Sequence, residues 1–371
     1  MRLLIVDPCS QNHVKNRYGG GRERIGRIQA MTLSNVHDVH FLTASGSQVL
    51  EEGYSQHWTK VPAKHEGQSD RNWNKNFHLD VLEVIGRVDP EVVVFHHWNP
   101  FSASNRAASF ERPCVFYEHS CPEYMGRLFN NVGKFHNLCE NLGYVMVSVS
   151  QFQADKFAKK FGYEIFDTVN CGMIVDYGEE ILPEGGYGLV VCRWDPLKGP
   201  HRVLDLMGEY SLKIHTTSLS VGKSGDYSRH IGGIDHEIIY DQEYTSLWDS
   251  VRDASFTITT YPDESSGLIS GEGAMRGIPS VLFCRNGRHA AEEHLRKSDT
   301  YLFDVSLHKK KLDRFDIFQE LLKSIDMRLE TRKSLAKYMQ DEFSKEDYIE
   351  NFGELLDSAI RKYQMRQRIL F

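Results

Sequence analysis

Short, unbroken apolar runs alternate with amphipathic stretches along most of this chain, and few architectures accommodate that rhythm. Leu3–Val6, His40–Leu42, Val92–Phe95, Val115–Tyr117, Tyr144–Val149 and Phe166–Val169 read as strands, with helix-like segments near 22–34, 76–87, 128–142 and 151–161. A strand that is apolar at every residue has both faces covered, as in a parallel sheet flanked by helices. The repeated βα order is that of a doubly wound α/β sheet. The rhythm pauses at Pro183-Glu184-Gly185-Gly186 and resumes with Gly188–Cys192, Leu212–His215, Glu237–Tyr240, Phe256–Thr260, Ser280–Phe283 and Tyr301–Phe303. Helices are expected near 200–209, 243–252, 268–276 and 288–296. The pattern predicts two Rossmann-like domains, 1–180 and 181–343, with a hinge near residue 180. A final helix spans 344–371, its start capped by Ser344-Lys345-Glu346-Asp347. Phe352, Leu355, Leu356, Ala359, Ile360 and Tyr363 recur there at helical spacing and read as a packing stripe.

The 371 residues carry 51 acidic and 44 basic side chains, so a general nucleic-acid coat is not expected, although a local basic cleft is compatible with this balance. No apolar run is long enough to span a bilayer, so no integral membrane contact is expected. Met1-Arg2 leads straight into a strand with no signal-peptide pattern. The seven cysteines include no C-x-x-C pair and read as free thiols, which suits a cytoplasmic protein.

Ligands of doubly wound sheets bind beyond the carboxyl ends of the strands, and four segments place reactive side chains there. In Asp263–Pro279, Glu264 precedes a helix start and Glu272 lies about one turn inside it. The N–H groups near Gly267 and Leu268 would offer a diphosphate an anion site, and Glu272 can accept from sugar or ribose hydroxyls. In Val190–Gly199, Arg193 and Lys198 follow a strand, where they can neutralise a pyrophosphate leaving group. A solvated surface pair is the plainer reading of these two. Arg17-Tyr18-Gly19-Gly20-Gly21-Arg22-Glu23-Arg24 joins three glycines to a basic stretch; between Lys15 and Arg27 five basic residues stand against one acidic. Either a charged loop or a basic lip over a phosphate-bearing ligand fits. The dinucleotide spacing G-x-G-x-x-G is absent, which argues against an oxidoreductase. In Tyr117-Glu118-His119-Ser120, His119 ends a strand, and His96-His97 ends its neighbour. The latter pair reads as structural or acceptor-lining, because a metal site would need a third ligand. The segment 53–78, with Trp58, Lys60, Lys64, Arg71, Trp73 and Lys75, is mixed in character and reads as a loop rather than a membrane-binding stripe.

Together these segments resemble the nucleotide-sugar glycosyltransferases of the GT-B fold, specifically the large retaining family 4. The matching stretches are Gly19-Gly20-Gly21 with Glu23-Arg24, Val147-Ser148-Val149-Ser150, Val169-Asn170-Cys171-Gly172-Met173, Arg193 to Lys198-Gly199, the paired glutamates around Gly267-Leu268, and the tail from Phe343-Ser344. The resemblance implies two facing Rossmann-like domains with the last helix crossing back to the first. It implies that Arg193 and Lys198 bind the donor diphosphate, Glu264 contacts the sugar and Glu272 the ribose. Ser266, Gly267 and Leu268 would line the donor, with Gly20 and Gly21 closing over the diphosphate. His119 would sit beside sugar and acceptor, with Arg17, Arg22, Arg24, His96 and His97 on the acceptor side. Where the family has E-G-F-G-L, this chain has Glu264-Ser265-Ser266-Gly267-Leu268, which bears on how closely the sugar approaches.

The implied reaction moves a sugar from a nucleoside diphosphate, UDP by the resemblance, to an acceptor hydroxyl with retention. It needs no resident cofactor, and the absence of any Asp-x-Asp suggests no metal-bridged diphosphate. The acceptor would be a soluble glycan or small molecule. A hydroxymethylated base of DNA also suits a basic lip, by analogy with bacteriophage DNA glycosyltransferases. A nucleotide-sugar epimerase of the same fold and a non-catalytic nucleotide-sugar binding protein remain open.

Overall fold

The computed structural model describes residues 1–7, 21–45, 53–62, 70–96, 98–101, 104–125, 129–169, 186–192, 198–204, 206–208, 210–216, 236–240, 251–307 and 311–370. These residues form two compact units, one from the first half of the chain together with residues 345–370, the other from the intervening second half.

The first unit holds a seven-stranded sheet whose strands are β1 (Arg2–Val6), β2 (Asp38–Ser45), β3 (Ser55–Pro62), β4 (Val92–Phe95), β5 (Cys114–Glu118), β6 (Val145–Ser148) and β7 (Thr168–Val169). The order is β3-β2-β1-β4-β5-β6-β7, and every pairing is parallel. All four residues of β4 and all five of β5 are buried, which accounts for the unbroken apolar runs Val92–Phe95 and Val115–Tyr117. Helices α1 (Gly21–Leu33), α2 (Asp70–Val88), α3 (Phe129–Leu142) and α4 (Gln151–Phe161) connect the strands. Aromatic rings fill one side of the sheet, with Phe95 and Phe116 stacked at 4.6 Å between centroids. The strand order reverses at β1, which lies between β2 and β4. That switch point opens a crevice at the carboxyl edge.

The loop expected over 53–78 is instead β3 followed by the start of α2. Trp58 and Lys60 are strand residues, and Trp73 and Lys75 are helical. As an edge strand paired only to β2, β3 needs no apolar residue at every position, so Ser55–Pro62 lacks the signature of the central strands.

The second unit repeats the scheme with β8 (Tyr187–Val191), β9 (Ser211–Thr216), β10 (His236–Tyr240), β11 (Ala254–Thr259), β12 (Ser280–Cys284) and β13 (Thr300–Asp304), ordered β10-β9-β8-β11-β12-β13 and parallel throughout. Its switch point lies at β8, between β9 and β11. Helix α5 (Leu268–Ala274) follows β11, and α6 (Lys311–Lys323) and α7 (Leu329–Glu342) follow β13. Neither α6 nor α7 was expected: their sequences are crowded with charge, and only a narrow stripe such as Leu335, Ala336 and Met339 is buried. The helix expected over 288–296 is a short 3-10 turn, Ala290–Glu293, and the one over 200–209 is helical at His201–Leu204. Most of the helix expected over 243–252 lies outside the described residues.

The last helix, α8 (Lys345–Leu370), packs on the first unit. Phe352, Leu355, Leu356 and Ala359 are buried, and Tyr363 stacks on Tyr144 at 6.1 Å, so the apolar stripe is a packing face. Lys362 pairs with Glu140 at 2.6 Å and with Asp167. Arg366 Nε donates to the Asn141 carbonyl at 2.7 Å. Two Rossmann-like units with this returning helix match the expected architecture.

Candidate active site

In the second unit the strands on either side of the switch point deliver opposite charges. Lys198 follows β8 and Glu264 follows β11, and Lys198 Nζ lies 2.6 Å from Glu264 Oε2. Both side chains are about one-fifth to one-quarter exposed, at 20% and 24%. The pair is therefore neither a screened surface contact nor a sealed one. The Thr260 hydroxyl donates to the Lys198 carbonyl at 2.7 Å, fixing the backbone that carries the lysine. The ammonium also sits 4.8 Å from the centre of the Tyr261 ring, close enough for cation–π attraction. Burial alone would push the Glu264 carboxyl up. The Lys198 ammonium and its hydrogen bond, the His289 ring and the Ser265 N–H outweigh that, so the carboxyl lies below its ordinary value.

The segment after Glu264 turns through Gly267 into α5. Gly267 has φ of 70°, and a β-carbon there would stand 2.6 Å from that of Ala291, so conformation and space both demand glycine. The first intrahelical bonds are donated by Ser270 and Gly271 to the Gly267 carbonyl, so the N–H groups of Leu268 and Ile269 lie ahead of the ladder. Ser266 and Leu268 are partly exposed beside this turn, and Glu272 is buried inside α5. A hydroxyl contact between Thr259 and Ser270, 3.0 Å, ties α5 to β11.

His289 was not among the residues singled out from sequence. Its Nδ1 accepts from the Ala291 N–H at 3.1 Å, and Glu292 closes a capping box with the His289 N–H. That turn supports Gly267 through Ala291 and brings an imidazole near Glu264. The S/T/D/N cap signature is missing here, which is why the pattern was silent.

In the first unit the carboxyl edge carries imidazoles. His96 follows β4 and His119 follows β5; the His96 ring is buried and the His119 ring partly exposed. His96 Nδ1 and His119 Nε2 are 3.1 Å apart, and both rings stack with Tyr117. Glu118 accepts from the Trp98 indole N–H and, at 2.6 Å, from the Ser120 N–H. Gln153 accepts from the Val149 N–H at 2.9 Å and donates to the Ser120 carbonyl at 3.0 Å, so the Ser148-Val149-Ser150 strand end holds the loop beside His119. Ser150 also caps α4, accepting from the Gln153 N–H at 3.0 Å.

Lys198 and Glu264 are thus brought into contact, as are His96 and His119. Gly21, Arg22 and Arg24 fall in the first turn of α1. Arg17, Gly20, His97 and Arg193 lie outside the described residues. Among the described residues no group of three or more His, Cys, Asp or Glu side chains is arranged to hold a metal ion. No described helix is long and apolar enough to cross a membrane.

Residues 19–173 match the sequence profile of Glycosyltransferase Family 4. Sucrose-phosphate synthase from Thermosynechococcus elongatus superposes with a TM-score of 0.73 at 11% identity, over 95% of this chain and 98% of that one. The chain has the GT-B fold. HepE from Anabaena, solved in complex with UDP and glucose, gives 0.71 at 12% identity over 96% and 99%. AviGT4, a glycosyltransferase involved in avilamycin A biosynthesis, gives 0.64 at 13% over 97% and 98%. Comparison with curated protein sequences gave no significant match. In this GT-B chain the Lys198–Glu264 pair sits at the second unit's switch point, and the His96–His119 pair lies at the ends of β4 and β5, beside that of the first unit.

Proposed function

We propose that the protein is a retaining glycosyltransferase that uses a nucleoside-diphosphate sugar, with UDP as the nucleotide and a glycan or small molecule as acceptor. The observation that carries this reading is the Lys198–Glu264 pair at the second unit's switch point, beside the Gly267-Leu268 turn. The family match over residues 19–173 and the UDP bound to HepE support it.

Without donor, Lys198 is held by Glu264. A diphosphate entering beside the turn would share the ammonium, with Arg193 as a second cation, while the Leu268 N–H and its neighbours donate to phosphate oxygens. Glu264 would then accept from a sugar hydroxyl and Glu272 from the ribose. In front-face displacement the bond from the anomeric carbon to the phosphate oxygen breaks, and its electron pair stays on that oxygen. The acceptor hydroxyl attacks the same face of the sugar, and its proton passes to the departing oxygen. Lys198 and Arg193 stabilise the charge that develops there. His119 is assigned to the acceptor side of the reaction. The hydroxymethylated-DNA acceptor rests on the basic stretch from Lys15 to Arg27, of which Lys15 and Arg17 lie outside the described residues.

A thermal-shift panel of nucleoside diphosphates and their sugars tests the donor. The best hit is then incubated with candidate acceptors, and the anomeric configuration of the product is read by NMR. Stabilisation by UDP or a UDP-sugar, and a retained product, are expected. Isomerisation of the sugar without any acceptor, or no response to any nucleotide, would overturn the reading.

A further inference from the structure

Behind His119 a chain of hydrogen bonds runs through the first unit to the C-terminal helix. His119 Nε2 meets His96 Nδ1 at 3.1 Å, His96 Nε2 meets Gln29 Oε1 at 2.8 Å, and Gln29 Nε2 donates to the Tyr348 hydroxyl at 2.7 Å. The four residues come from β5's end, β4's end, α1 and α8, and His96, Gln29 and Tyr348 are each no more than 2% exposed. The close packing of α1 here is set by Gly26, where a β-carbon would stand 3.3 Å from both Asp7 Oδ2 and His96 Cδ2.

The chemistry of these partners fixes proton positions. An amide oxygen can only accept, so His96 Nε2 carries a hydrogen. In neutral His96 the Nδ1 lone pair must then accept, and the donor available to it is His119 Nε2–H. The tautomers follow from the Gln29 amide as the structure places it, with Nε2 toward the Tyr348 hydroxyl, which can accept, and Oε1 toward His96. We infer that Gln29 and Tyr348 are positioning residues that hold neutral His119 with its proton on Nε2 and its lone pair on Nδ1. The consequence for transfer rests on the reading of His119 given above; the tautomer assignment does not. The C-terminal helix thereby has a role beyond packing, since Tyr348 lies in its first turns and anchors the far end of the chain of contacts.

Two-bond proton–nitrogen correlations on histidine-labelled protein report the tautomers, with signals assigned from those lost in His96→Asn and His119→Asn. Both His96 and His119 are expected as Nε2–H forms. His119 in its Nδ1–H form in the wild-type protein would overturn the proposal, whatever the variants do. Gln29→Met removes the acceptor for His96, so His119 is expected to lose its single tautomer. Tyr348→Phe, which keeps the ring, is expected to give a smaller shift in the same direction. With an active donor–acceptor pair in hand, Gln29→Met should lower kcat with little change in donor KM. An unchanged His119 tautomer in folded Gln29→Met would also overturn it. Correct tautomers in a protein without transferase activity would support the proton assignment while ending the glycosyltransferase reading.

Discussion

The two sheets share an architecture but carry different chemistry at their carboxyl edges. The first carries stacked rings joined by hydrogen bonds through His119, His96, Gln29 and Tyr348. The second ends in an ion pair, Lys198 with Glu264, left partly open to solvent. In the hydrogen-bonded chain the Gln29 amide sets the direction, because its oxygen can only accept and its nitrogen only donate. A partly open ion pair supplies a field that an anionic ligand can share. The same βα scaffold thus provides orientation at one edge and charge at the other.

Removing the charge is the sharpest way to break this contrast. Lys198→Ala is expected to lower transfer by about a hundredfold or more, the scale of losing one preorganised charge stabiliser, while circular dichroism stays that of the wild type; unaltered turnover would contradict the assignment. A core change at the other unit should behave in the opposite way. Leu356→Ala, on the buried stripe of α8, should cost about 2–5 kcal/mol of stability, seen as a lower denaturation midpoint, with nucleotide affinity of the remaining folded protein retained. Gly267→Ala tests the turn. With φ of 70° and Ala291 in the way, it should cost about 1–3 kcal/mol and weaken nucleotide binding, whereas Gly287→Ala, with φ of 66° but no atom within 4 Å, should affect stability alone.

The smallest effect is on pH dependence. The Glu264 carboxyl is held below its ordinary value of 4.5 in the folded protein. Its contribution to stability is therefore complete above that value and is lost as pH falls through the lower folded one. The gap in Tm between wild type and Glu264→Gln should shrink as pH drops from 7 towards 3. A gap that stays constant over that range would separate the pair from stability.

The central strands were legible because burial on both faces leaves continuous apolar runs, as in Val92–Phe95 and Val115–Tyr117. Edge strand β3 and helices α6 and α7 were not, since a partly exposed element needs fewer apolar residues. Lys198 and Glu264 could each be named from their places after strands. Their contact, spanning 66 positions of sequence, depends on β8 and β11 being neighbours, which no local pattern encodes. Gln29 and Tyr348 were invisible for the same reason: a glutamine on a helix face and a tyrosine in a packing stripe acquire meaning only when α1 and α8 meet at the edge of the sheet. His289 escaped notice because histidine is not one of the customary capping residues.

The most direct test of the account is calorimetric titration of UDP and of uridine into wild-type protein and Lys198→Ala. The account predicts that the wild type binds UDP far more tightly than uridine, and that the substitution removes most of that preference while leaving uridine binding as it was. Equal affinity of the wild type for the two ligands, or a preference for UDP that survives in Lys198→Ala, would contradict it.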